Sequence, residues 1–344
     1  MKTMVLTGIR EMKMQDVPDP QIKNPDDVKI KMQRVGICGS DVHYYLHGRI
    51  GSQKVEYPFA MGHEGAGLVV ETGPDVTSII PGDRIAIEPA MPCWKCDQCL
   101  TGRHNTCRNL SFLGCPGQAA GCLSEYMIMP EKSCLKIGKT MSYDQAALAE
   151  PLSIGLYSVR KSIPLKNASI GILGAGPIGL SVLVSAGNKG AGPVYVTDKI
   201  NSRLKAARKL GAHWQGNPDK QDIVKLIGER EPLGLDVVFE CCGEQEAIDQ
   251  AIATLKPGGK LVLVGIPQVD RISFDIDQIR RNEICIQNIR RQEDCAQAAL
   301  DLIQSGSVDV SSLITHYFEF ENTKAGFDLV AEYGDDVIKA MVKF

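Results

Sequence analysis

The sequence lacks the features of nucleic-acid-binding, secreted and repeat proteins. Its 38 basic and 41 acidic residues give a formal net charge of −3, so it has no basic excess of the kind that phosphate backbones require. The segment from Met1 to Asp16 mixes polar and apolar residues, without the apolar core and cleavage site of a secretory signal. No internal repeat or low-complexity tract interrupts the chain. We therefore expect no nucleic-acid partner.

Long uncharged runs are also scarce. The segment from Ala168 to Gly187 carries no charge and is about long enough to span a bilayer. It contains five glycines and a proline, however, and their spacing has a better explanation, given below. We expect no membrane partner.

Cysteine is present but dilute, at 12 in 344 residues, which is too sparse for a disulfide scaffold and indicates a reducing compartment, the cytoplasm. Four of the cysteines fall close together: Cys93, Cys96, Cys99 and Cys107. This density fits either a disulfide knot or a metal site. Two-residue gaps let neighbouring sulfurs meet on one ion, and four thiolates complete a closed tetrahedral zinc site. The spacing therefore predicts a structural zinc lobe.

Three glycines follow a short apolar strand at residues 170–173 with G-x-G-x-x-G spacing: Gly174, Gly176 and Gly179. The first allows a tight turn, the second lets the backbone approach a pyrophosphate, and the third lets a helix pack on the strand. A pyrophosphate then lies at the helix N-terminus. The pattern predicts a dinucleotide site, although glycines that serve only packing remain an alternative.

Asp198 follows the next predicted strand, residues 194–197, and is placed to accept hydrogen bonds from the adenosine ribose. A carboxylate there repels a 2′-phosphate, which favours NAD over NADP. Lys199 and Arg203 are nearby cations that act in the opposite direction.

Strands and helices continue to alternate beyond this point. Helices are predicted at 177–186, 203–210 and 247–255, and strands at 236–240 and 260–264, with a break at 257–259. Continuous apolar strands indicate a parallel sheet that is covered on both faces. We predict an α/β fold with a doubly wound nucleotide-binding domain at residues 154–286. Residues 1–153 form a second domain, which residues 287–344 complete.

Residues for a second, open zinc site lie in the N-terminal part. A catalytic zinc takes three protein ligands and keeps one exchangeable position. Cys38 and His63 are natural ligands, and the third could be Glu64 or Glu150. Each residue alone could equally be an ordinary core or surface group.

Several independent motifs across the whole chain resemble the zinc-dependent medium-chain dehydrogenases. They are Cys38-Gly-Ser-Asp-Val-His, Gly62-His-Glu-Gly-Ala-Gly, Pro81-Gly-Asp-Arg, the four-cysteine lobe, Gly174-Ala-Gly-Pro-Ile-Gly and Pro257-Gly-Gly-Lys-Leu-Val. The resemblance implies a Rossmann domain and a mostly β, GroES-like catalytic domain with the structural zinc lobe. It also implies one catalytic and one structural zinc per subunit, and NAD as the cofactor.

Finer features resemble the polyol branch, which sorbitol dehydrogenase typifies. They include the segment from His43 to Gly51, Glu64 directly after His63, and a glutamate at Glu150 where simple alcohol dehydrogenases carry a cysteine. The implied reaction oxidises a secondary hydroxyl of a sorbitol-, xylitol- or arabinitol-like polyol to a ketone, with hydride transfer to NAD⁺.

The resemblance also assigns roles to residues. Zinc held by Cys38, His63 and Glu64, with Glu150 nearby directly or through a water, binds the substrate hydroxyl and lowers its pKa. By family position, Ser40 hydrogen-bonds the reacting oxygen, His43 relays the proton outward, and Asp41 orients His63.

The dinucleotide and the substrate have further implied contacts. Those to the dinucleotide come from Pro177, Ile178, Arg203, Cys241, Val264 and Gly265. Tyr44 is a candidate pocket wall, and Arg291 matches an arginine of polyol enzymes. Gln292, however, replaces the aromatic residue that usually follows, and with Arg290 it would suit a more polar, cyclic or carboxylated substrate.

Two other functions remain open at this point. The same chemistry could act on threonine or an inositol-like ring, or the chain could be a non-catalytic zinc- and nucleotide-binding sensor. The family resemblance implies a homotetramer or a dimer.

Overall fold

The protein divides into two units in a computed structural model that describes every residue from Met1 to Phe344. The discontinuous unit contains Met1–Glu150 and Ala296–Phe344, and the central unit contains Pro151–Cys295. The central unit thus extends beyond residues 154–286, the range predicted for it. Its C-terminal extension is attached because the Ile289 N–H donates to the Leu263 carbonyl at 2.9 Å and Arg160 donates to the Glu293 carbonyl.

The N-terminal part of the discontinuous unit is mostly strand. Its strands are β1 (Lys2–Gly8), β2 (Glu11–Asp16), β3 (Asp27–Gly36), β4 (Arg49–Ile50), β5 (Gln53–Lys54), β6 (Phe59–Ala60), β7 (Glu64–Thr72), β8 (Arg84–Ile87), β9 (Ala90–Met91), β10 (Ser111–Phe112), β11 (Tyr126–Pro130) and β12 (Cys134–Lys136). Its α-helices are α1 (Gly39–His47), α2 (Asp97–Leu100) and α3 (Tyr143–Ala147).

The next part of the chain alternates helix and strand. Its helices are α4 (Ala149–Lys161), α5 (Pro177–Asn188), α6 (Asn201–Lys209), α7 (Ile223–Arg230), α8 (Gln245–Thr254) and α9 (Ile276–Arg281). Its strands are β13 (Ile170–Leu173), β14 (Val194–Thr197), β15 (Trp214–Gly216), β16 (Leu235–Glu240), β17 (Leu255–Leu263) and β18 (Cys285–Asn288).

The C-terminal part returns to the discontinuous unit. It contains α10 (Ala296–Gln304), β19 (Ile314–Glu319), α11 (Thr323–Ala331) and β20 (Lys339–Lys343). Short 3-10 helices lie at His104–Thr106, Glu131–Ser133, Ser311–Leu313 and Phe320–Asn322.

The main sheet of the discontinuous unit joins both ends of the chain. Its order is β12-β8-β7-β3-β20-β19, and β11 also pairs with β3. β20 lies antiparallel to β3, with Met341 opposite Gly36. A core of aliphatic side chains, including Val28, Ile30 and Met32 of β3, packs against this sheet. The C-terminal strand is therefore part of the framework that carries the residues after Gly36.

The central unit is a parallel sheet of order β15-β14-β13-β16-β17-β18. This is the doubly wound order, in which the strand order reverses between β13 and β16. β13 and β14 are buried along their whole length, as expected of strands covered on both faces. The predicted α/β fold is confirmed.

The uncharged segment at residues 168–187 is β13, the glycine loop and most of α5. None of the helices has both the length and the apolar character needed to cross a membrane.

One local prediction is wrong. The strand predicted to begin at residue 260 begins at Leu255, directly after α8 ends at Thr254. Its register against β16 shifts between Leu255 and Lys260, so residues 256–259 form a bulge and regular pairing starts at Lys260. Gly258 makes this possible by adopting φ +75°, and its N–H donates to the carbonyl of Asn282 at 2.7 Å.

Candidate functional site

The first candidate site of the discontinuous unit lies where β3 ends and β7 begins. Cys38 follows β3 and precedes α1, and Glu64 opens β7 directly after His63. One donor atom each of Cys38, His63 and Glu64 lie within 4.8 Å of one another. A thiolate, an imidazole and a carboxylate at this spacing are the ligand types of a zinc site that keeps a position open.

The surroundings of His63 fit a metal ligand. Its Nδ1 atom lies 3.5 Å from Oδ2 of Asp41, and neither atom has a hydrogen-bond partner although both are buried. Burial by itself lowers the pKa of His63, but the charges of Asp41 and Cys38 outweigh it and hold the pKa well above its usual value. The raised pKa means that the ring readily holds a second proton. A metal cation at Nε2 would take the place of this proton, because only the neutral ring can ligate a metal. The ring of Phe112 packs against His63, with centroids 5.4 Å apart.

Glu64 is fully buried, and both of its carboxylate oxygens accept hydrogen bonds from the Lys339 ammonium at 2.7 Å. Burial alone lowers the pKa of Lys339, but the charges of Glu64 and Cys38 raise it above its usual value. The sequence analysis missed Lys339. A signal was present, because this lysine interrupts the apolar run at residues 337–342, and a buried lysine needs a carboxylate partner.

Glu150 lies outside this set of three donors, near the start of α4. Burial raises the pKa of its carboxyl to about 7, and the nearby charges of Glu64 and Glu88 act in the same direction. The residue keeps some exposed surface, but the carboxyl group itself is poorly hydrated. A group with this pKa is poised between acid and carboxylate near neutral pH.

Besides Asp41, three predicted polar residues lie on α1. The Ser40 hydroxyl donates to the Cys38 sulfur at 3.3 Å. Burial, followed by the charge of His47, lowers the pKa of His43, so His43 is neutral at pH 7 and can both accept and donate a proton. Tyr44 is buried, and its hydroxyl lies 3.9 Å from the sulfur of Cys115.

The second candidate metal site is the four-cysteine lobe around α2. The sulfurs of Cys93, Cys96, Cys99 and Cys107 all lie within 4.8 Å of one another. The Cys96 sulfur is 3.6 Å from that of Cys99 and 3.9 Å from that of Cys107. Tetrahedral zinc with Zn–S bonds of about 2.3 Å requires sulfurs about 3.8 Å apart, whereas a disulfide requires about 2 Å. The lobe fits a closed zinc site.

Backbone donors around the lobe support thiolates. The Cys93 and Asn109 N–H groups both donate to the Cys107 sulfur, at 3.2 and 3.4 Å. A backbone N–H at Lys95 is the main reason that the pKa of Cys93 falls to about 6. Burial raises the pKa of Cys99 to about 12, so this thiol needs a cation in order to ionise.

The glycine loop of the central unit joins β13 to α5. Gly174 has φ +98°, and a Cβ on Gly179 would lie 1.8 Å from the Gly174 carbonyl oxygen. A Cβ on Gly176 would meet only the Arg203 guanidinium, at 3.6 Å, so the space over this glycine is open. Pro177 and Ile178 begin α5 with their backbone at the helix N-terminus, where an anion is favoured. This cradle fits a dinucleotide pyrophosphate.

Asp198 directly follows β14 and holds this loop in place. Its Oδ2 accepts from the Ala175 N–H and its Oδ1 from the Ile200 N–H, both at 2.7 Å. A carboxylate has about four lone-pair positions, so capacity remains for ribose hydroxyls. Lys199 pairs with Asp219 and Glu246, at 3.6 and 3.4 Å, and thus points its charge toward carboxylates.

The remaining cofactor candidates follow the neighbouring strands. Cys241 follows β16, and Val264 and Gly265 follow β17, each at the carboxyl end of a parallel strand. The sequence analysis missed Glu240, which is buried and accepts from the N–H groups of Cys242 and Gly243 at 2.7 and 2.6 Å. Glu240 therefore orders the turn that contains Cys241.

Arg291 and Gln292 lie beyond β18 in the central unit. Arg291 adopts φ +53°. The Gln292 side-chain oxygen accepts from the Cys295 N–H at 2.7 Å, just before α10 begins. The side-chain oxygen thus has a local partner within the chain. The prediction that Gln292 contacts the substrate did not include this hydrogen bond.

Comparisons with known proteins agree with this architecture. The alcohol dehydrogenase GroES-like domain model matches residues 24–139, and the zinc-binding dehydrogenase model matches residues 177–305. A sorbitol dehydrogenase of Bacillus subtilis is 37% identical over 343 residues, which cover 99% of this chain and 97% of the relative. The probable D-xylulose reductase A of Aspergillus clavatus is 35% identical over 329 residues, covering 94% and 91%.

The fold likewise matches solved structures. A zinc-binding dehydrogenase of Sinorhizobium meliloti 1021, bound to NADP, superposes with a TM-score of 0.91 at 29% identity, covering 100% of this chain and 99% of that one. The two family models and the full-length similarity give one conclusion. The chain belongs to the zinc-binding, medium-chain alcohol dehydrogenase family, with sorbitol dehydrogenases among its relatives.

Proposed function

We propose that this protein oxidises a secondary hydroxyl of a linear polyol to a ketone and transfers the hydride to NAD⁺. The observation that carries the proposal is the Cys38–His63–Glu64 donor cluster, in a chain 37% identical to a sorbitol dehydrogenase over 99% of its length. The glycine loop of the central unit supplies a cradle for the dinucleotide.

Cys38, His63 and Glu64 would hold the catalytic zinc, with Glu150 as a fourth, nearby carboxylate. A bound zinc ion acts as a Lewis acid on a hydroxyl oxygen and favours loss of its proton. Ser40, whose hydroxyl donates to Cys38, is the group that would pass this proton on. The neutral ring of His43 on the same helix would accept it, since its pKa is lowered.

The cysteine lobe would hold a second zinc ion, so the proposed content is one catalytic and one structural zinc per chain. The sulfur spacing of 3.6–3.9 Å supports this assignment. A closed set of four thiolates leaves no position for a substrate, and the role of this ion is to order the loop around α2.

NAD rather than NADP is the proposed cofactor because the buried Asp198 carboxylate would repel a 2′-phosphate. Arg203 lies beside the loop, and one structural relative binds NADP, so this preference needs its own test. Asp198→Asn should raise the ratio of NADP⁺ to NAD⁺ in kcat/KM by about tenfold or more, on the scale of one charge contact. Lys199→Ala is the control and should leave the ratio unchanged, because Lys199 is occupied by Asp219 and Glu246.

We further propose that the protein is cytoplasmic and forms a homodimer or homotetramer. All 12 cysteines are free, which suits a reducing compartment. β18 is the edge strand of the central sheet, and Cys285 and Asn288 at its two ends are exposed. An unpaired edge is a template for pairing with another strand, which would join two copies of the sheet. Sedimentation of the purified protein measures the assembly directly.

The function is tested with purified protein, NAD⁺ and a panel of sorbitol, xylitol, arabinitol, galactitol, myo-inositol and threonine, followed by NADH absorbance. We expect oxidation of at least one linear polyol, which Cys38→Ser abolishes and Cys285→Ser preserves. If only inositol or threonine is oxidised, the substrate class is a cyclic alcohol or an amino alcohol and not a linear polyol. If the protein binds zinc and NAD⁺ but oxidises none of these compounds, the assignment as an enzyme would be wrong and a non-catalytic sensor would take its place.

A further inference from the structure

Lys339 is a fully buried cation with all of its donors in use. Its exposed fraction is 1%, and Nζ donates to Glu64 Oε1 and Oε2, each at 2.7 Å, and to the Ile37 carbonyl at 3.1 Å. An ammonium group has three N–H donors and no acceptor, so these contacts satisfy it completely. The partners are specific, since Ile37 directly precedes Cys38 and Glu64 directly follows His63.

The carboxylate of Glu64 is fixed from two sides. Lys339 holds both oxygens on one side. On another, a Cβ on Gly36 would lie 2.1 Å from Oε2, so the carboxylate rests directly against the β3 backbone. The same carboxylate offers a donor atom within 4.8 Å of those of Cys38 and His63. Glu64 thus faces a protein cation and a candidate metal position at once.

The charges around this position are mostly negative. Asp41 and Glu64 are buried, and Glu150 interacts with Glu64, Glu88 and Lys339. Lys339 is the lysine that opposes this negative charge in the interior. A positive charge so close to a metal position lowers the electron density that Glu64 can give to the metal, and it repels the metal itself.

We propose that Lys339 is a positioning residue that competes with the catalytic metal for the Glu64 carboxylate and keeps Glu64 a weak ligand. This inference rests on the proposed function, because it assumes a metal at Cys38 and His63. It makes Lys339, from the last strand of the chain, part of the control of a site otherwise built from residues 38–64. The metal thereby keeps more of its positive charge for the substrate oxygen.

Removal of Lys339 should change the metal affinity in opposite directions, depending on whether the lysine is a competitor or one half of a purely structural ion pair. Removing one partner of a structural pair disorders its neighbours, and loss of a group that orients a metal ligand typically weakens metal binding by about 10- to 100-fold. Removing a competitor instead frees Glu64 for the metal and strengthens binding. The sign of the change in metal affinity therefore separates the two roles.

The test replaces the catalytic zinc of the full-length protein with Co²⁺, whose visible absorption reports the number of ligands. Affinity is measured by competition with a chelator in the parent, Lys339→Met, Lys339→Arg and Lys339→Met/Glu64→Gln proteins. The four-cysteine lobe keeps its zinc in all four proteins, and because Zn²⁺ is a d10 ion without visible absorption, the spectrum reports the catalytic position alone.

We expect Lys339→Met to bind Co²⁺ about tenfold more tightly, the reverse of the usual effect of losing such a partner, with a weaker visible band that indicates an added ligand. The added Glu64→Gln change should return affinity and spectrum to the parental values, and Lys339→Arg should keep them. Weaker binding by Lys339→Met, unaffected by Glu64→Gln, would overturn the proposal.

Lys339→Met could fail to fold, since it leaves a buried carboxylate unpaired. In that case Glu64→Gln with Lys339 intact decides the question. A weak ligand predicts a loss of Co²⁺ affinity of less than about 3-fold, and a loss of about 10- to 100-fold would contradict the proposal. If Cys38→Ser leaves the metal content of the parent unchanged, the proposed function fails as well. If the parent binds metal and oxidises a polyol, only the role of Lys339 is in question.

Discussion

The Nδ1 atom of His63 lies 3.5 Å from Oδ2 of Asp41, and the second Asp41 oxygen accepts the Gly62 N–H at 3.3 Å. Asp41 is completely buried, so its charge is little screened by water. Such a carboxylate keeps the proton of a neutral imidazole on Nδ1 and directs Nε2 to a metal. The arrangement links α1, which carries Asp41, to the loop that carries His63.

Replacing Asp41 with asparagine should weaken metal binding at the Cys38–His63 site by about 10- to 100-fold, because the imidazole loses the group that fixes its tautomer. Chelator competition measures this affinity. Asp27→Asn is the matched control. Asp27 is also a buried aspartate of the discontinuous unit, but it accepts from the Lys23 and Asn24 N–H groups. Parental metal affinity in Asp41→Asn would show that Asp41 does not orient His63.

The raised pKa of Glu150 predicts a difference in proton release. With its pKa raised to about 7, Glu150 still carries a proton in part of the molecules at pH 7, and metal binding nearby would expel that proton. Glu150→Gln should therefore release fewer protons per metal at pH 7 than the parent, and the difference should vanish well above pH 7. Because the pKa is raised, metal affinity of the parent falls more steeply as the pH drops below 7.

Calorimetric titration in two buffers of different ionisation enthalpy counts these protons. Glu131→Gln is the control, because hydrogen bonds from Ser78 lower the pKa of Glu131, which is therefore ionised throughout this range. If the parent and Glu150→Gln release equal numbers of protons at pH 7, metal binding does not change the protonation of Glu150.

Two glycines of α5 form a matched pair for the dinucleotide cradle. Gly179→Ala would place a Cβ 1.8 Å from the Gly174 carbonyl oxygen, whereas Gly187→Ala meets no atom within 4 Å. We expect Gly179→Ala to lose NADH binding and about 1–3 kcal/mol of stability or more, as in overpacked cores. Gly187→Ala should keep binding and gain about 0.5–1 kcal/mol from helix propensity. NADH fluorescence titration and thermal unfolding measure both effects, and equal behaviour of the two variants would refute this account of the loop.

The cysteine lobe predicts a change in metal content. Cys107→Ser should lower the zinc content by one ion per chain and reduce the melting temperature, because the loop around α2 loses its central tie. Cys285→Ser changes an exposed thiol outside the lobe and should alter neither value. Elemental analysis of the purified proteins decides the matter, and an unchanged zinc content in Cys107→Ser would rule out a four-cysteine zinc site.

The regular parts of the fold could be predicted because their signals are local. β13 and β14 have the predicted limits, since apolar runs bounded by glycine or aspartate define buried strands. The four cysteines could likewise be predicted to form a metal site, because they lie within 15 residues and their spacing alone brings the sulfurs together. The start of β17 could not be predicted. Its glycines lie in a bulge against β16, where the Gly258 N–H donates to the Asn282 carbonyl, and this contact depends on the tertiary structure.

The contacts that tune the candidate site depend on the tertiary structure. Lys339 and Glu64 lie far apart in the sequence and meet because β20 and β7 both pair with β3. The set of possible zinc ligands could be predicted from residue type. The occupation of both Glu64 oxygens by a lysine depends on strand register, which a single sequence does not reveal.

The most direct test of the proposed chemistry is to follow the hydride from the substrate to the cofactor with an isotope label. The protein is incubated with NAD⁺ and a linear polyol from the panel that carries deuterium on the oxidised carbon, and the reduced cofactor is examined by NMR and mass spectrometry. We predict one deuterium at C4 of the nicotinamide, and none when zinc has been removed. Deuterium that appears in the solvent, or oxidation that continues unchanged without zinc, would contradict the proposed mechanism.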